Sequence, residues 1–160
     1  MTVSRFARPW LAGVVLLGLG GLTIALMHGV AGPAPHRRGP ADPTADLDTR
    51  MREADAGAGA HLFATCAACH SVGRGGVDLD GPNLYGVVGA PVAERRPRYN
   101  YSSALRRVGG LWTPARLDAW LTSPAAFAPG TNMPFEGWAD GRDRADVIAF
   151  LAQQGGPSPP

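Results

Sequence analysis

The chain has 160 residues, a formal charge of +2 and fifteen basic side chains that are all arginine. That length holds one domain plus a tail or anchor, and glycine and proline, at 22 and 15 residues, argue against long regular sheets. No basic run interleaves with aromatics, which removes the usual basis for nucleic-acid binding.

The N-terminal segment carries Arg5 and Arg8 and then runs from Trp10 to Met27, "WLAGVVLLGLGGLTIALM", without a charge. As a helix it would be about 27 Å long, close to the apolar thickness of a bilayer. Residues 1–32 therefore read as a membrane anchor. A cleaved signal peptide is the alternative: "GVAG" supplies small residues for a cleavage site, but the apolar run exceeds the usual core of a signal. Glycines such as Gly18 and Gly20 are tolerated in membrane helices. Arg5 and Arg8 favour a cytoplasmic N-terminus, although Arg37 and Arg38 reduce the asymmetry. Both readings send the rest of the chain across the membrane.

Residues 33–54, "PAPHRRGPADPTADLDTRMREA", are rich in Pro, Ala and Asp and lack apolar periodicity. They read as a linker spanning roughly 25 Å as a coil and up to about 70 Å when extended. Residues 55–155 read as the folded domain, and "GPSPP" at 156–160 as a disordered tail.

Within the domain, "GAGAHLFATC" suggests an Ala-rich helix. Weaker helical character covers Tyr101–Val108. "TPARLDAWLTSP" offers Thr113 as N-cap, Pro114 at the first helical position and an apolar face of Leu117, Trp120 and Leu121, with Pro124 as the stop. "DRADVIAFLAQQGG" repeats the pattern and closes at Gly155. Nothing alternates with period two. The expected class is all-α: short helices joined by Gly/Pro loops that need something central to pack against.

The two cysteines, Cys66 and Cys69, both fall in "TCAACH", followed by His70. C-x-x-C pairs serve as redox dithiols, half zinc sites or haem attachment points, and C-x-x-C-H is the haem form. Zinc would need further ligands at short spacing, and His28, His36 and His61 do not provide them. A redox dithiol would need a βαβ setting. A disulfide over so short a loop would constrain the unfolded chain little. Covalent haem with His70 as one axial ligand is the reading that fits, leaving the other axial position to be filled. Among Met1, Met27, Met51 and Met133, only Met133 lies inside the domain, on the rigid "PGTNMPF" loop. A thioether there raises the reduction potential and blocks small ligands. A ligating histidine normally donates its other N–H to a fixed acceptor, and the carbonyl of Pro82, in "DGPNLYG", is a suitable one.

"FATCAACH", "GPNLYG", "PRYNYSSAL", "LWTPARLDAWLTSP", "FAPGTNMPF" and "RADVIAFL" follow one another in the order and spacing of the class I c-type cytochromes. The chain most resembles the mitochondrial-type branch and its membrane-anchored bacterial relatives, over about residues 57–152. The resemblance implies that Cys66 and Cys69 form thioethers to one haem c, and that His70 and Met133 bind its iron. It implies that Pro82 accepts from His70, that Tyr101 and Trp112 bond one propionate, and that Thr131 bonds the other. Trp120 would pack beside the methionine, Phe135 would shield the haem edge, and Gly59, Phe63 and Phe150 would form the crossing of first and last helices. Ala90 stands where many relatives have an arginine that offsets propionate charge; Arg95, Arg96 and Arg98 are the candidates to replace it.

The function so implied is one-electron transfer between a quinol:cytochrome c reductase and a terminal oxidase, at the bacterial inner membrane with the haem domain in the periplasm. It involves no catalysis, small-molecule substrate or nucleic acid. A haem subunit fixed to one dehydrogenase or oxidase complex is an alternative, and a ligand-binding or peroxidatic haem protein is another. From Glu53 to Gly155 there are nine arginines and ten acidic residues. Soluble carriers of this kind usually show a basic ring that steers docking; a tether could replace steering through local concentration.

Overall fold

The computed structural model describes residues 44–155. The expected anchor, the linker up to residue 43 and the tail lie outside the described residues. Among the described residues no helix is long and apolar enough to cross a membrane.

Helix α1, Leu47–Arg52, is a departure from the sequence reading, which has linker through Ala54. Asp46 caps it, accepting the Thr49 N–H at 2.8 Å, and Arg50 and Arg52 sit in its last turn, where the helix dipole favours cations. So short a helix gains its stability from docking. The Arg50 guanidinium donates to both oxygens of Asp118, at 2.9 and 3.3 Å, and to the Gly141 carbonyl at 2.8 Å. Met51 packs against the core.

Helix α2, Ala56–Leu62, starts at Asp55, whose carboxylate accepts the N–H groups of Gly57 and Ala58. The Asp55 N–H in turn donates to buried Asp146 at 2.7 Å. The chain then tightens into a 3-10 turn, Phe63–Ala68, which delivers the cysteines. A long loop leads to α3, Ser103–Val108, capped by Ser102. Helix α4, Pro114–Thr122, has the expected Thr113 cap and buries Leu117, Trp120 and Leu121. Pro124 does more than end it: with Ser123 as cap, it opens the single turn α5, Pro124–Phe127. Helix α6, Gly141–Gln153, runs through the core, with Ile148 fully buried and Val147 and Leu151 nearly so.

Helices α2 and α6 cross at Gly59, where a Cβ would overlap the Asp146 carbonyl oxygen. Beside the crossing the Phe63 and Phe150 rings meet at 5.2 Å between centroids. That is the close approach expected of Gly59, Phe63 and Phe150. Trp112, Trp120 and Phe127 form an aromatic cluster with centroids 5.6–5.8 Å apart, within the favourable range for ring pairs. An isolated antiparallel bridge between Pro91 and Leu111 is the extent of β pairing among the described residues.

Candidate haem-binding site

The helices and loops enclose a cavity of about 390 Å³. Its walls include Phe63, Leu105, Leu117, Trp120, Val147 and Leu151. Ligand and cofactor pockets generally occupy about 300–1,000 Å³ and are mostly apolar. Cys66, Cys69, His70, Pro82, Tyr101, Trp112, Thr131 and Met133 all line this one cavity. Thus eight residues spread over 68 positions of sequence converge on a single space.

The His70 side is built by backbone. The 3-10 turn ends with the His70 N–H on the Cys66 carbonyl, and the Gly81 N–H returns to the Cys69 carbonyl at 2.8 Å. Gly81 thereby lies flat against the imidazole, where any Cβ would overlap the ring. His70 Nδ1 is 2.7 Å from the Pro82 carbonyl oxygen. A carbonyl only accepts, so Nδ1 carries the proton and Nε2 keeps its lone pair. Burial holds the His70 pKa below its ordinary value, against the smaller opposing effect of the Pro82 bond. The ring is therefore neutral at pH 7, the form that binds metal.

Asn83, missed in the sequence reading, holds this loop together. It is 3% exposed. Its amide donates to Ser71 Oγ at 2.7 Å and to the Gly73 carbonyl at 3.0 Å, and its oxygen accepts the Tyr85 N–H. Its own N–H meets Asp78 Oδ1 at 2.8 Å. The sequence signal was its place in "GPNLYG"; four bonds from one buried amide residue explain why that turn is so tightly defined.

On the Met133 side, Thr131 Oγ1 accepts the Met133 N–H at 3.3 Å, which fixes the residue bearing the thioether and leaves the hydroxyl proton free to donate. Burial raises the Tyr101 phenol above its usual range, so it too remains a donor at neutral pH. Trp112 is buried, with its backbone held by the Ala90 carbonyl at 2.8 Å. Phe135 packs against the core and meets Trp138 edge-on, with centroids 5.2 Å apart.

The thiols are unpaired. Burial pushes the Cys66 thiol up to about 11, whereas reactive dithiols have depressed values. That disfavours the redox alternative. Among the described residues no group of three or more His, Cys, Asp or Glu could hold a metal ion, so the zinc reading lacks a ligand set there. Two thiols on the wall, a neutral imidazole with Nε2 free and a thioether fit haem, whose iron takes nitrogen and sulfur ligands.

A small helical domain with C-x-x-C-H on the wall of such a cavity has the architecture of a class I c-type haem protein. The family model for cytochrome c matches residues 56–155, and the chain belongs to the cytochrome c family. It is 41% identical over 105 residues to a cytochrome c homolog of Bradyrhizobium diazoefficiens, covering 66% of this chain and 57% of that one. It is 46% identical over 98 residues to cytochrome c2 of Rhodomicrobium vannielii, covering 61% and 78%. With the cytochrome c-type cyt cy of Rhodobacter capsulatus it shares 43% over 107 residues, 66% of this chain and 52% of the relative. In several relatives, then, the match spans little more than half the length. The solved structure of cytochrome cH from Methylobacterium extorquens superposes with a TM-score of 0.57 at 43% identity, covering 62% of this chain and 98% of its own. The cofactor of the family is covalently attached haem c, and the cysteines available for it are Cys66 and Cys69. The cytochromes c are electron carriers rather than enzymes.

Proposed function

We propose that this chain is a tethered one-electron carrier, taking electrons from a quinol:cytochrome c reductase and passing them to a terminal oxidase. Residues 1–32 anchor it in the bacterial inner membrane and the haem domain works in the periplasm. The observation that carries the site assignment is the convergence of His70 and Met133 on the cavity whose wall holds both cysteines. The anchor rests on the uncharged run Trp10–Met27.

When bound, haem supplies an iron that gains and loses one electron. Cys66 and Cys69 anchor it as thioethers. His70 offers Nε2 to the iron, and the Pro82 carbonyl, by accepting from Nδ1, keeps the ring in that tautomer and strengthens it as a ligand. Met133 offers sulfur, which favours the reduced state and keeps oxygen and other small ligands away. Leu117, Trp120, Val147 and Leu151 give the cavity apolar walls that disfavour water. Tyr101, Trp112 and Thr131 supply donors for the propionates.

The test uses membranes from cells that make the full chain. Reductase turnover should reduce its haem and oxidase turnover should reoxidise it, with the protein in the membrane fraction and its mature N-terminus intact. Stoichiometric co-purification with a single dehydrogenase would instead assign it as a fixed subunit. Recovery of a processed, soluble protein would remove the tether from the proposal.

A further inference from the structure

The segment "ERRPR" places Arg95, Arg96 and Arg98 close together, and the structure separates their roles. Arg96 is committed: its guanidinium donates to Asp78 Oδ1 at 2.7 Å and to the Gly76 carbonyl at 3.2 Å. Arg98 is exposed and does not line the cavity. Arg95 does line it, the one arginine among the described residues that does. It is half-buried, with its guanidinium carbon 5.9 Å from the centre of the Tyr85 ring. Among the described residues it has neither a hydrogen bond nor an ion pair.

A half-withdrawn guanidinium without an acceptor is poorly compensated, because its five N–H groups are made for planar two-oxygen partners. The surroundings offer it little else. Helices α4 and α6 present apolar side chains to the cavity, and the Met133 loop presents Thr131 and Asn132. The remaining charged lining residue is Asp80, which is exposed, while Asp78 is engaged by Arg96. The phenol of Tyr85 lies beneath the Arg95 guanidinium, and the cavity wall also carries the phenols of Tyr99 and Tyr101, both raised above their usual range by burial and so neutral at physiological pH.

Haem brings two carboxylates that must find donors inside such a wall. We infer that Arg95 is the cation that binds a haem propionate, taking the charge-balancing role that Ala90 cannot fill. This rests on the reading of the cavity as the haem site. The cation holds the propionate ionised. Its charge also opposes the extra positive charge of ferric iron, which favours the ferrous state.

The experiment is spectroelectrochemical titration of the full-length holoprotein and its Arg95→Gln, Arg95→Lys, Arg96→Gln and Arg98→Gln variants between pH 5 and 9 (roughly the range in which a shifted propionate titrates). Arg95→Gln should move the reduction equilibrium about fivefold toward ferric, roughly 40 mV for a one-electron couple. It should also move the pH-dependent step of the potential to higher pH. Arg95→Lys should restore most of both, and Arg98→Gln should change neither. Equal melting temperatures across the set exclude a folding cause. If Arg95→Gln leaves potential and pH profile unchanged, or if Arg96→Gln or Arg98→Gln alone produces the shift, the inference is overturned. The long-wavelength charge-transfer band of ferric iron bound to a thioether separates this from failure of the site itself. Its presence beside an inert Arg95 sinks only the inference; its absence in the parent protein sinks the haem-site reading, and the inference with it.

Discussion

Substituting Gly59 by alanine puts the helix crossing to a quantitative test. The new Cβ would overlap the carbonyl oxygen of Asp146 and stand 2.9 Å from the Cβ of Phe150. Neither neighbour can step aside cheaply. The carbonyl belongs to the middle of α6, and the Asp146 carboxylate is held by the Asp55 N–H at 2.7 Å. Overpacking of this kind costs about 1–3 kcal/mol, and contact with rigid backbone puts it at the upper end. Alanine regains about 1 kcal/mol over glycine inside a helix, so the net loss is about 2 kcal/mol. For a domain near 100 residues that lowers Tm by about 8–16 °C. Thermal unfolding of the holoprotein by far-UV circular dichroism measures it, with Gly73→Ala as the reference, since a Cβ there meets nothing within 4 Å. A Gly59→Ala protein that melts with or above its parent would refute the argument.

Met133→Ala should open the iron: the ferrous protein should take up carbon monoxide readily and the midpoint potential should drop, both read from visible spectra, and an unreactive variant would remove Met133 as a ligand. Asp118 tests the acid–base linkage. Burial alone would raise its carboxyl, but hydrogen bonds from Arg50 and Arg144 outweigh that and hold it below the usual carboxylate range. A lowered pKa contributes stability that is complete above about pH 4 and disappears as pH falls through the folded value. Asp118→Asn should therefore cost about 2 kcal/mol at pH 7, with the gap to the parent closing on acidification, as denaturant titrations at several pH values would show. With the proposed tether, turnover with the redox partners should vary little with salt, because the domain carries nine arginines against ten acids and no lysine; a steep decline from low to high ionic strength would contradict tethered docking.

Much of this was legible because it is local. The Thr113–Pro114 start of α4 and the apolar faces of α4 and α6 follow from residues a turn apart. Likewise, Cys66, Cys69 and His70 state their chemistry within five positions. What escaped the sequence is long-range. Asp46 and Arg50 carry ordinary capping and dipole signals, but a six-residue helix survives only because Arg50 reaches Asp118, 68 positions away. The edge-on contact of Phe135 with Trp138 was hidden for a related reason: it depends on how the loop before α6 folds back, and the Trp138 N–H is set on the Leu121 carbonyl. The separate roles of Arg95 and Arg96 needed coordinates, since adjacent identical residues differ only in which way the loop turns them.

Asp118 has a mechanical consequence. One carboxylate receives Arg50 from α1 and Arg144 from α6, and Arg144 in turn grips the Trp138 and Ala139 carbonyls at 2.6 and 2.9 Å. A tug on the chain ahead of Asp46 is thus borne by a rivet through three distant segments, one of them just beyond the methionine loop. The imidazole loop, stitched by its own Asn83, stays out of the line of force.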